Sequence, residues 1–181
     1  FVGKNLCAHL KNIRDGKARN YGELVIEEVM EYDIDSTPEQ LDEYCAKADF
    51  VFNLAGVNRP KEQSEFMAGN FGFASMLLDA LRKHYNRCPV MLSSSIQATL
   101  IGRYGESDYG KSKLAGEELF FRYGEETGAK VLVYRLENGV VRITIPQLPL
   151  FATTLPTICP SQSTTVPPHL NFSTSMTSWR R

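Results

Sequence analysis

Asp49-Phe50-Val51-Phe52-Asn53-Leu54-Ala55-Gly56 reads as a buried β-strand, an apolar run closed by a glycine. Just before it, Ser36-Thr37-Pro38 with Gln40 three residues beyond Thr37 supplies a capping box and a proline at the first helical position. That pattern predicts a helix from Pro38 to about Ala48. Beyond the strand, the periodicity predicts a long helix from about Gln63 to His84, a strand over Pro89–Ser94, a helix from about Tyr109 to Thr127 and a strand over Lys130–Leu136. Toward the N-terminus, Leu24–Asp33 alternates in part as a strand does, and Val2, Leu6, Leu10 and Ile13 fall at helical spacing. Strands alternating with helices predict an α/β fold, a doubly wound parallel sheet with ligands at the carboxyl ends of its strands.

The 181 residues are 43% apolar and 23% charged, with a net charge of -1, which fits a soluble globular domain. No Lys/Arg cluster offers a footprint for nucleic acid or an anionic membrane. Cys7, Cys45, Cys88 and Cys159 are scattered without a C-x-x-C pair, so reduced thiols are expected rather than a metal site or disulfides. No run of 18 apolar residues and no secretory segment is present, so a cytoplasmic location is expected.

Composition divides the chain into residues 1–138 and 139–181. All 21 acidic residues lie at or before Glu137, whereas Ile143–Arg181 holds 13 Ser/Thr and 6 Pro in 39 positions, with charge only at Arg180 and Arg181. The second part reads as an irregular tail, translated out of frame after about Asn138 or else a disordered Pro/Thr-rich segment. The chain opens on Phe1, already inside what reads as the first turn of a helix, so an upstream segment is expected.

Chemistry concentrates in Tyr109-Gly110-Lys111-Ser112-Lys113. Tyr109 and Lys113 stand one helical turn apart on one face, and a cation beside a phenol favours the phenolate, a combination that can move a proton at a hydroxyl or carbonyl oxygen. The plainer reading is two residues of an amphipathic helix. Ser93-Ser94-Ser95 brings hydroxyls to the end of a strand, for a substrate oxygen or simply to cap it. Asn53-Leu54-Ala55-Gly56 puts small residues where a flat cofactor could approach the backbone, or makes a plain turn. Phe1-Val2-Gly3 before a helix matches the last glycine of a phosphate-binding G-x-x-G-x-x-G.

In that order these pieces resemble the extended short-chain dehydrogenase/reductase family, including its NAD-dependent epimerases and dehydratases. Phe1-Val2-Gly3-Lys4-Asn5-Leu6 is similar to the end of its glycine motif, and Asn70 with Leu77-Leu78-Asp79-Ala80-Leu81 to its central helix. More narrowly, Ala55-Gly56-Val57-Asn58-Arg59-Pro60 and Ser93-Ser94-Ser95-Ile96-Gln97-Ala98-Thr99 resemble the capsular polysaccharide reductases of UDP-N-acetyl-L-fucosamine synthesis. The resemblance covers residues 1–138. It implies a Rossmann-like domain that uses NADP(H) or NAD(H) to reduce a UDP-2-acetamido-2,6-dideoxy-hexos-4-ulose. A UDP-sugar is then the partner, and the intact protein is expected to dimerise, although no interface is legible. By the same resemblance Tyr109 donates the proton, Lys113 holds the nicotinamide ribose and lowers the Tyr109 pKa, and Ser95 binds the substrate oxygen. Gly3, Leu54, Ala55, Gly56 and Asn70 line the cofactor.

The chain departs from the family in three places. Tyr109 follows Ser95 by only 14 positions, Tyr104 is a competing tyrosine followed at the fourth position by Asp108, and Leu136-Glu137-Asn138-Gly139-Val140 replaces the expected Pro-Asn-x-x-Gly. The family's central first strand would precede Phe1. Its two neighbours are therefore expected to lack a partner, leaving the 181-residue chain poorly stable and inactive. A nucleotide-sugar 4-epimerase or 4,6-dehydratase shares Tyr109 and Lys113, and a non-catalytic Rossmann remnant is the alternative of another class. Against a dehydratase, Ile96-Gln97 stands where an acidic pair is wanted.

Overall fold

The computed structural model describes residues 1–18, 21, 24–57, 60–62, 64–137 and, as backbone alone, 169–175. Expectations resting on Asn58, Arg59, Gln63, Asn138, Gly139 and Val140 lie outside these residues, as does most of the 139–181 tail.

Helix α1 (Val2–Arg14) leads to β1 (Val25–Tyr32), α2 (Pro38–Lys47) and β2 (Phe50–Asn53). A short α3 (Ser64–Phe66), a π turn at Met67–Gly72 and α4 (Phe73–Lys83) follow as one helical run, and then β3 (Val90–Ser95). Two 3₁₀ turns, Ile96–Thr99 and Gly102–Tyr104, precede α5 (Asp108–Thr127) and β4 (Val131–Leu136). The capping box forms as read: Thr37 accepts from the Gln40 N–H, and the Gln40 side chain accepts from the Thr37 N–H. At the far end of α5, Gly128 takes the left-handed conformation (φ 76°) that lets its N–H return to the Gly124 carbonyl.

All strand pairs are parallel, in the order β1-β5-β2-β3-β4, where β5 is His169–Ser175. Strand β5 lies within the segment read as an irregular tail. The structure corrects the expectation of two unpartnered strands: β5 pairs with β1 from Val25↔His169 to Tyr32↔Ser175 and with β2 from Phe50↔Phe172 to Asn53↔Ser175. The physical reason is backbone satisfaction. A gap between two parallel strands exposes two rows of N–H and C=O groups, and any extended segment able to enter it satisfies both rows at once.

Successive side chains of β2 point to opposite faces, and the sheet is covered accordingly on both. Val51 joins the larger core with Leu41 and Cys45 of α2, Leu77, Leu78 and Leu81 of α4 and Phe120 and Tyr123 of α5. Phe50 and Phe52 face the other way, onto a smaller cluster built on Leu10 of α1 and Ile26 of β1. A register irregularity between Ile26 and Val29 explains the partial alternation of β1: Ile26 and Val29 serve the smaller cluster, while Met30 and Tyr32 beyond it serve the larger one. With every strand parallel, the ends of β2 and β3 open on the same edge of the sheet.

Candidate active site

Three consecutive residues at the end of β3 grip three residues of α5 spaced one helical turn apart. The Ser95 hydroxyl lies beside the Tyr109 side chain and draws its pKa down. The Lys113 ammonium donates to the Ser93 carbonyl at 3.2 Å. Ser94 Oγ donates to Glu117 Oε1 at 2.5 Å. The four-residue spacing places Tyr109, Lys113 and Glu117 on one stripe of α5, and β3 supplies a polar group opposite each.

The start of α5 is fixed by its connection to β3. Ser107 caps the helix, accepting from Gly110 N–H at 3.0 Å, and its hydroxyl also donates to Gln97 Oε1 at 2.6 Å. Gly110 lies so close beneath the Ile96–Thr99 turn that an added Cβ would stand 2.4 Å from the Gln97 carbonyl oxygen. Ser95 Oγ in turn accepts from Gln97 N–H at 3.3 Å. One polar seam thus joins the end of the strand to the helix that carries Tyr109, and Phe66 lies against the tyrosine ring at 5.7 Å between centroids.

On the other side stands the end of β2. Asn53 is buried, and its Oδ1 accepts from Ala55 N–H, turning the chain at Leu54, Ala55 and Gly56. A Cβ at Gly56 would stand 2.7 Å from Lys113 Nζ and 2.8 Å from Asn70 Oδ1. The absence of a side chain at Gly56 therefore makes room for these two polar groups. Asn70, carried by the π turn, accepts from Val57 N–H at 3.0 Å and donates to the Val57 carbonyl at 3.1 Å and to Ser112 Oγ at 2.9 Å. Its amide is thus committed to bracing the Gly56–Val57 backbone against α5.

Gly3 is buried in the first turn of α1, which packs on β1 and β5, and among the described residues no hydrogen bond links it to the Ser95–Tyr109–Lys113 group. Asp33 accepts from Ile34 N–H as a turn residue, and Tyr104 pairs with Arg103 at 2.6 Å.

Lys113 is only 7% exposed. Burial lowers its pKa to about 8, and the carboxylate of Glu117 opposes that loss. Tyr109 moves up, because burial outweighs the Ser95 hydroxyl that draws it down. The expectation that Lys113 lowers the Tyr109 pKa is therefore not met here: the ammonium lies 5.8 Å from the ring centroid, turned toward Ser93 and Gly56. Neutral phenol is the resting form.

These residues fit a nicotinamide dinucleotide. A buried ammonium has three donors, and among the described residues it uses one, on Ser93, so it keeps capacity for ribose hydroxyl oxygens beside a strand end without side-chain bulk. Among the described residues, no group of three or more His, Cys, Asp or Glu is placed to hold a metal ion, and no helix is long and apolar enough to cross a membrane.

Comparison with known proteins agrees with this architecture. The sequence pattern of the NAD dependent epimerase/dehydratase family matches residues 1–141. The chain belongs to that family. Membership makes it a relative of enzymes that work with a nicotinamide cofactor, on a Rossmann-like parallel sheet. Within the NAD dependent epimerase/dehydratase family, it is 38% identical over 138 residues to the UDP-2-acetamido-2,6-beta-L-arabino-hexul-4-ose reductase of Pseudomonas aeruginosa, covering 76% of this chain and 33% of that protein. Among solved structures, the capsular polysaccharide assembling protein CapF from Staphylococcus aureus is 38% identical, with a TM-score of 0.53, over 75% of this chain and 32% of that one. A short-chain dehydrogenase/reductase from Vibrio parahaemolyticus shares the fold at 15% identity, with a TM-score of 0.51, over 79% of this chain and 73% of that one. The chain thus spans about a third of the length of the two more similar relatives.

Ser94, Glu117, Arg135, Ser112 and the Gln97–Ser107 pair were not singled out from the sequence. Glu117 alone carried a signal, since it repeats the four-residue step from Tyr109 to Lys113.

Proposed function

We propose that the intact protein reduces the 4-keto group of a UDP-2-acetamido-2,6-dideoxy-hexos-4-ulose with NADPH or NADH, in the supply of capsule or other surface polysaccharide precursors. The observation that carries this reading is the Ser95–Tyr109–Lys113 cluster, set at the ends of β2 and β3 in a chain 38% identical to a protein named as such a reductase. UDP-sugar chemistry in the cytoplasm accords with the buried free thiols Cys7, Cys45 and Cys88.

When bound, the nicotinamide supplies the hydride. Tyr109, kept protonated by burial, gives its proton to the oxygen at C4 as negative charge develops there. Ser95 stabilises the same oxygen through its hydroxyl and then the phenolate left behind. Lys113, still cationic at neutral pH with its pKa of about 8, orients the ribose. Ile96-Gln97 gives no acidic pair for a dehydration, and the Gln97 amide oxygen is engaged by Ser107.

The test is oxidation of NADPH by the full-length protein presented with the 4-keto UDP-sugar. Tyr109→Phe is expected to lower kcat by about 10²–10⁴-fold while cofactor affinity is kept. Undiminished turnover in that variant, or none in the parent, would overturn the reading.

A further inference from the structure

Glu117 is 1% exposed and has no place in the proton transfer just described. Its carboxylate is nevertheless fully engaged. Ser94 donates to Oε1, and Arg135 makes a two-pronged contact, Nε to Oε1 at 2.9 Å and Nη2 to Oε2 at 2.6 Å. The two partners come from β3 and β4, so this one side chain of α5 ties the ends of both strands to its own helix. A buried carboxylate is retained only where geometry and hydrogen bonds repay its desolvation, and this geometry does so.

We propose that Glu117 is a positioning residue: through Ser94 and Arg135 it sets the register of α5 on β3, and its charge holds Lys113 as a cation against the Ser93 carbonyl and the Gly56 backbone. The inference rests on the reading of Lys113 as the cation on the cofactor side of the site. Glu117 stands one turn from Lys113 and is, among the described residues, the charged group that counters the burial of that lysine.

Among the described residues, the neighbouring elements leave Glu117 without a rival. On α5 itself, Lys111 is occupied by Glu106 in an exposed pair, and Tyr109 is neutral. From β4 comes Arg135, whose guanidinium partly offsets the Glu117 charge. The π turn and the Ile96–Thr99 turn bring no ionisable side chain. Glu65 of α3 accepts from Lys61 N–H, and Arg82 of α4 pairs with Glu126 near the far end of α5.

Two substitutions push Lys113 in opposite directions. Glu117→Gln keeps the shape and one acceptor oxygen but removes the charge. Arg135→Gln removes the counter-charge, at a position whose side chain is 40% exposed and therefore reachable by water. Coulomb's law at an effective dielectric near 20 and the roughly 5–6 Å typical of side chains one helical turn apart, halved for the opposing guanidinium, gives a shift of about one pH unit. The experiment is an NMR titration of the full-length protein carrying ¹³C-labelled lysine, with the Lys113 signal assigned by its loss in Lys113→Arg. The expected result is a Lys113 midpoint about one unit lower in Glu117→Gln and higher in Arg135→Gln. Unchanged midpoints, or movement in the same direction in both, would overturn the proposal, since general loosening of the site cannot give opposite signs. The titration needs no turnover, so it stands apart from any failure of the reductase reading.

Discussion

Replacing Gly56 by alanine adds one methyl group at the most crowded polar point of the site. The new Cβ would stand 2.7 Å from Lys113 Nζ and 2.8 Å from Asn70 Oδ1, distances real Cβ atoms essentially never show. Neither neighbour can yield without loss. Moving Nζ breaks a charged hydrogen bond to Ser93, worth about 1.5–3 kcal/mol, and moving Oδ1 strips the buried Val57 N–H of its acceptor, at about 1–3 kcal/mol. Against this, alanine restricts the unfolded chain and returns about 0.4–1 kcal/mol. If one of the two contacts breaks, the net cost is about 1–2 kcal/mol, and if both break, about 3–5 kcal/mol. Urea unfolding reads this directly, since at an m-value of about 2 kcal/mol/M a loss of that size lowers the midpoint by roughly 0.5–2.5 M. Gly116 supplies the control, because it lies inside α5 with nothing within 4 Å of its Cβ position. Gly116→Ala should stabilise the protein by about 0.5–1 kcal/mol. Equal midpoints for the two variants would refute the argument that Gly56 exists to admit Lys113 and Asn70.

Stability should also depend on alkaline pH with a change of sign. Lys113 titrates at about 8 when folded and 10.5 in its reference state, so between these values the unfolded chain binds more protons and stability rises with pH, by about 1 kcal/mol from pH 8 to 9. Cys45 and Cys88 work the other way: burial pushes both thiols from 9.0 up to about 12, so above pH 9 the unfolded chain releases protons that the folded one keeps. Urea midpoints across this range should pass through a maximum near pH 9, and a steady decline from neutral pH would sink the assignment of a buried cationic Lys113. In β5, Ser173→Pro removes a backbone donor between Met30 and Val51 and should cost about 1–3 kcal/mol in the same assay, whereas an unchanged midpoint would mean that β5 does not occupy the sheet.

The parts of this structure legible in the sequence are those fixed by short-range chemistry. Thr37, Pro38 and Gln40 announce α2 because a capping box is complete within four residues. Tyr109 and Lys113 announce the site because one helical turn relates them. The π turn at Met67–Gly72 was not legible: Asn70 must meet both backbone groups of Val57, and Gly69 has Val57 Cγ2 at 2.3 Å from its would-be Cβ, so a distant contact sets the local winding. Glu117 escaped notice because its partners come from β3 and β4. The raised pKa of Tyr109 depends on burial, which no four-residue spacing reports. His169-Leu170-Asn171-Phe172-Ser173-Thr174-Ser175 has little strand character of its own, and its conformation comes from the two strands it joins.

That insertion orders events in time. Strand β5 begins 116 residues after β2 ends at Asn53, yet it stands between β1 and β2. The β2-β3-β4 half is built from neighbouring strand–helix–strand units and can assemble from local contacts, whereas docking β1 through β5 must close a long loop first. Within residues 1–181, β1 and β2 present facing rows of open peptide groups until β5 docks. A chain in that state is a template for any passing strand, including the same segment of another copy, so the yield of native protein should fall as its concentration during folding rises.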